Sequence, residues 1–140
     1  MPSARDLAGE LRLAIGQASR RIRAERGAAG LTDPQYTVLV WLIKQGPMTP
    51  GQLAERERIQ PPSMTRTVNS LVDLGLVAKA EHPTDGRQVV VSLTDAGVAE
   101  VDETRRRRDA WLADRLRQMT KDERTLLVDA AELLRRIAAS

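Results

Sequence analysis

The 140-residue chain contains no cysteine and only one histidine, His82. The first absence excludes disulfides, thiolate metal ligands, a nucleophilic thiol and thiol redox sensing together. The second makes a zinc site hard to assemble, because several carboxylates would have to serve without a second imidazole. Phenylalanine is missing and aromatics make up 2% of the residues. The core must therefore be built from Leu, Val, Ile and Ala, a mixture suited to packed helices with little sheet. No apolar run approaches membrane-spanning length, and the opening MPSARDLAGELRLAIG carries acids and lacks the apolar core of a signal peptide. A cytoplasmic protein with no membrane partner is expected. There is also no phosphate-cradling glycine loop and no carboxylate pair outside helical charge patterns. With nothing to carry catalytic roles, neither an enzyme nor a cofactor nor a metal is expected.

What is present is a composition of 41% hydrophobic and 29% charged residues, that of a soluble globular chain of one-domain size. The net charge of +3 is unevenly placed: residues 1–30 hold six arginines against three acids, whereas residues 91–140 hold ten of each sign. The surplus lies in the first helix, where Leu7, Leu11, Ile15, Ala18 and Ile22 recur at a spacing of three and four and define one stripe. Gly27 and Gly30 end that helix. Asp33-Pro34 reads as a cap followed by a first-turn proline, opening a second helix to Gly46-Pro47 with Trp41 as a core or subcore residue.

Thr49-Pro50-Gly51-Gln52 is a capping box for a short helix to about Glu57, and Pro61-Pro62 starts another that Gly75 closes. Two short helices across a tight break make a helix-turn-helix candidate. In the second, Met64, Val68, Leu71 and Val72 share one face, while Pro62, Ser63, Arg66, Asn69 and Ser70 occupy the other, with no acid before Asp73. An ordinary solvent face would mix Glu and Lys. This one is suited to a major groove: arginine can bond guanine bidentately, asparagine can do the same with adenine, and hydroxyls can hold phosphates.

Residues 76–81 and 88–93 read as two strands joined by HPTDGR, a hairpin that sets Arg87 at the base of a wing with Asp85 placed to pair with it. Thr94-Asp95 then caps a long helix to about Met119, and Thr120-Lys121-Asp122-Glu123 is a capping box for a last helix. The run Arg105 to Arg108 covers most of a helix circumference, so some of these arginines should pair with Asp102, Glu103, Asp109 or a partner chain's acids. The fold class expected is mainly α with a small β-hairpin: a winged helix-turn-helix.

This order of elements resembles the MarR family of bacterial transcription regulators over nearly the whole chain. The likeness is carried by LAERERIQPPSMTRTVNSLVDLGLV, similar to the family's helix-turn-helix, and by DGRQVVVSLTDAG, similar to its wing with an Asp-x-Arg signature and a Leu-Thr-x-x-Gly exit. Gln60 departs from the pattern by standing where a capping serine is common. The resemblance implies a homodimer, with residues 1–30 and 95–140 as dimerisation helices and 31–94 as the DNA-binding core on double-stranded DNA. It implies that Ser63, Thr65, Arg66, Thr67 and Asn69 face DNA from the recognition helix and Asp85 and Arg87 from the wing. It also implies ligand-responsive repression at a pseudo-palindromic operator. A lipophilic anion is the effector class expected, in a crevice near Arg20, Arg21, Arg23, Trp41 and Leu42, without an assigned binding residue. The alternative is a winged helix used only for protein contacts, since a fold does not fix a function.

Overall fold

The structure, a computed structural model, describes residues 1–140. Six helices and one hairpin follow in the order α1 (Ala4–Arg23), α2 (Asp33–Gln45), α3 (Pro50–Glu57), α4 (Pro61–Asp73), β1 (Val77–Glu81), β2 (Val89–Leu93), α5 (Asp95–Arg117) and α6 (Lys121–Ala139). No helix is long and apolar enough to cross a membrane. The buried core runs from Leu31 to Val101 and contains Val38, Leu39, Leu53, Met64, Val68, Leu71 and Val91, aliphatic as the composition requires. Neither α1 nor α6 has a buried residue.

The start of α2 differs by one residue from the sequence expectation. Thr32 is the cap: its hydroxyl accepts the Gln35 N–H at 3.3 Å, and the Gln35 side chain accepts the Thr32 N–H at 2.9 Å. Asp33 instead lies in the first turn, with its carboxylate 3.5 Å from both Arg23 and Arg26. Trp41 packs half-buried against the core as expected, with the Arg56 guanidinium 5.4 Å from its ring centre.

The hairpin is antiparallel, with Val77 opposite Leu93 and Glu81 opposite Val89. Met48, in the α2–α3 connection, bonds Val91 in both directions at 3.0 and 2.7 Å, so β2 is paired on its far side as well. The base of the hairpin is fixed to α5. Thr94 caps that helix by accepting the Gly97 N–H at 3.1 Å, and its hydroxyl donates to the Gly75 carbonyl at 2.7 Å. Gly97 lies so close to the chain entering β1 that a Cβ there would come within 2.1 Å of the Leu76 oxygen.

A second junction joins α5 to the α1–α2 connection. The buried Glu100 carboxylate accepts the Ala29 N–H at 3.1 Å, and Gly27 leaves the space that Glu100 and Thr104 fill. The arginine run divides its work. Arg106 and Arg107 bond Glu103, as expected, and those bonds hold its carboxyl below the usual carboxylate range. Arg107 and Arg108 also donate to main-chain carbonyls past the end of α1, Arg107 to Arg26 at 2.9 Å and Arg108 to Glu25 at 3.0 Å. Cations are favourable at a helix C-terminus, whose last carbonyls lack helical partners. Arg108 also lies over Tyr36, 4.5 Å from the ring centre.

Candidate nucleic-acid interface

The helix pair α3–α4 is set by the chain between the helices. Thr49 caps α3, accepting the Gln52 N–H at 3.1 Å while the Gln52 side chain accepts the Thr49 N–H at 2.9 Å. Arg58 ends α3 in the left-handed region at φ 54°, an uncommon place for a residue with a Cβ, and thereby turns the chain into α4. No glycine marks this turn in the sequence. Gln60 stands at the N-cap of α4 without a side-chain cap bond. Pro61 and Pro62 remove two of the N–H groups that a helix start leaves unpaired, and the next, that of Ser63, donates to the Gln60 carbonyl at 3.0 Å.

Met64, Val68 and Leu71 hold α4 on the core, which directs Pro62, Thr65, Arg66 and Asn69 to solvent. Arg66 is steadied by the Ser63 hydroxyl at 3.3 Å. The Thr65 hydroxyl bonds back to the Pro61 carbonyl at 3.0 Å. Three of the expected contact residues sit to one side of this face, half-buried Ser63 among them. Thr67 is half-buried, with its hydroxyl on the Ser63 carbonyl at 3.1 Å, and Ser70 accepts from the Gln35 side chain of α2 at 3.0 Å. Helical periodicity already leaves Thr67 off the outward face, and only the family resemblance adds it; Ser70 is not separable from Arg66 by that pattern, because its α2 neighbour is distant in the chain. Lys79 of β1, not among the expected contact residues, donates to the Asn69 side-chain oxygen.

The wing is braced from within. His82 Nδ1 accepts the N–H groups of Thr84 at 3.2 Å and Asp85 at 3.1 Å, so the ring proton is on Nε2. Asp85 accepts the Arg87 N–H at 3.1 Å and the Gln88 amide at 3.2 Å, while its contact with the Arg87 guanidinium is longer, 3.5 Å. Asp85 therefore shapes the turn more than it restrains the cation, and the Arg87 side chain is 94% exposed. The only histidine thus has a role in the loop that its inability to make a metal site did not suggest.

The residues expected around an effector are engaged separately. Arg21 stacks on Trp111 at 4.6 Å, Arg23 lies beside Asp33, Leu42 is buried in the core and Trp41 lies under Arg56.

A two-helix unit with an exposed donor-rich helix, followed by a braced hairpin, defines a winged helix-turn-helix protein. Residues 29–88 match the MarR family. An HTH-type transcriptional regulator of Mycobacterium tuberculosis is 45% identical over 128 residues, covering 91% of this chain and 90% of that protein. The HTH-type transcriptional repressor MdtR of Bacillus subtilis is 28% identical, covering 99% of this chain and 90% of its own length. Among solved structures, a candidate transcriptional regulator from Pseudomonas aeruginosa superposes with a TM-score of 0.84 at 29% identity, covering 98% of each chain. The chain belongs to the MarR family of HTH-type transcriptional regulators.

Proposed function

We propose that the chain is a cytoplasmic, homodimeric repressor that binds a pseudo-palindromic operator and acts by binding alone, with no catalytic step. Residues 31–94 serve as the DNA-binding core, and residues 1–30 and 95–140 as the dimer mount. The observation that supports this most directly is the outward face of α4, where Pro62, Thr65, Arg66 and Asn69 are exposed and no acid occurs from Pro61 to Val72. Ser63, Thr67 and Ser70 flank that face, and Arg87 extends it onto the wing. Phosphate contacts and base-edge contacts both call for donors, which these side chains supply. Half-sites about 10 base pairs apart would let two such helices enter successive major grooves.

The test is binding of purified full-length protein to duplexes from the promoters beside its gene, over a range of salt. Arg66→Ala should cost roughly 1–3 kcal/mol and relax preference at one base pair. Arg87→Ala should lower the salt slope by about one and relax no position of the major groove. Binding that ignores salt and sequence at physiological ionic strength would overturn the reading. A lipophilic aromatic acid is the proposed effector class; one that loosens the operator complex must bind the operator-bound dimer more weakly by the same factor. An acid that binds with and without operator equally is not an inducer.

A further inference from the structure

We infer that Lys79, which lies on the hairpin and not on the recognition helix, sets the base that Asn69 reads, and that this base is guanine. The inference rests on the reading of α4 as the groove-facing helix. Lys79 Nζ donates to Asn69 Oδ1 across the junction of α4 and β1, and both side chains are exposed. An ammonium has donors only, so it selects the oxygen end of the amide and fixes which way the amide is turned. The Asn69 NH₂ group is then the end left for another partner.

An asparagine without this neighbour matches adenine, because its oxygen accepts from N6 and its nitrogen donates to N7. Here a cation already sits on one of the oxygen's two lone pairs, so a further donor at that oxygen meets a positive charge and the pair presents mainly donors. An adenine N6 amino group would bring a donor against the ammonium. Guanine presents two acceptors, O6 and N7, on the same edge, and so complements both Asn69 and Lys79. Arg66, three residues earlier on the same exposed face, is also a donor-only group. No carboxylate, the strongest kind of acceptor, stands between Pro61 and Val72.

The backbone of Lys79 is held in place by its strand. Lys79 is opposite Val91 in the hairpin register, and Val91 is fully buried and bonded on its other side to Met48. Displacing Lys79 from Asn69 would therefore require its flexible stem to swing away, since β1 itself is fixed.

The experiment is selection from a randomised duplex pool by full-length wild type, Asn69→Ala and Lys79→Met, with sequencing of the bound fraction. The position whose preference disappears in Asn69→Ala is the one Asn69 reads. Wild type should enrich guanine over adenine there. Lys79→Met keeps an unbranched stem without the donors, and should move that position about tenfold toward adenine while leaving the other positions unchanged. Three results would overturn the inference alone: adenine preferred by wild type, no position dependent on Asn69, or a uniform loss of affinity in Lys79→Met with base preferences intact. The last is the behaviour of a phosphate contact. A wild type that selects no sequence at all would instead overturn the DNA-binding reading, and the inference with it.

Discussion

A Cβ at position 97 would lie 2.1 Å from the Leu76 carbonyl oxygen and 3.0 Å from the Leu93 side chain. Alanine in place of glycine ordinarily favours a helix by about 1 kcal/mol, but the neighbour that must yield here is main chain at the entrance to β1. Overpacking of this kind costs about 1–3 kcal/mol, and a backbone obstacle belongs near the top of that range. Gly97→Ala should therefore destabilise the protein by roughly 1–2 kcal/mol net. Gly86, in the wing turn, has no atom within 4 Å of an added Cβ and has no positive φ. Gly86→Ala should change stability by less than about 0.5 kcal/mol. Urea unfolding of the two variants checks the contrast, which would fail if both were neutral.

The helix starts show the same chemistry solved in two ways. At α3, the Thr49 hydroxyl and the Gln52 side chain satisfy each other's main-chain N–H groups, and Thr49→Ala should cost about 1 kcal/mol. At α4, two prolines and the Gln60 carbonyl leave a capping hydroxyl little to do, so Gln60→Ser should gain less than about 0.5 kcal/mol. Thermal unfolding should show a drop of a few degrees in the first variant and almost none in the second. The box at Thr49 was legible in the sequence because a capping box is local, and the same holds for Thr120 with Glu123. At α2 the expectation is off by one residue because Thr and Asp are both good caps, although the local Thr32–Gln35 box, which the Asp33-Pro34 pair obscures, decides for Thr32. The left-handed Arg58 had no signal, since no glycine marks it. Most of the candidate site was legible from α4's two faces. Its distant partners, Gln35 on Ser70 and Lys79 on Asn69, come from the packing of elements remote in the chain, as do the carbonyls after α1 that accept from Arg107 and Arg108, and periodicity does not encode them.

At the scale of the molecule, the two elements without buried residues carry much of its exposed apolar surface. Leu7, Leu11 and Ile15 of α1 and Leu126, Val128, Leu133, Leu134 and Ile137 of α6 are all exposed in the protomer. Leu7, Leu11, Leu133, Leu134 and Ile137 line one depression together. A contiguous apolar surface of this kind is rare on a soluble monomer. Ile137→Glu should shift the protein from dimer toward monomer in analytical ultracentrifugation while the far-ultraviolet circular dichroism of the winged core persists. A wild type that sediments as a monomer, or an Ile137→Glu dimer of undiminished affinity, would count against α6 as the mount. The joint between α5 and the hairpin has a mechanical consequence. Thr94 and Gly97 bind the wing to the first turn of a 23-residue helix whose far end leads into α6. That helix is a lever about 34 Å long, and a tilt of about 5° swings one end through roughly 3 Å relative to the other. The rise per nucleotide along the duplex axis is about 3.4 Å, so a small rocking of α5 would shift the wing by nearly one base step along DNA.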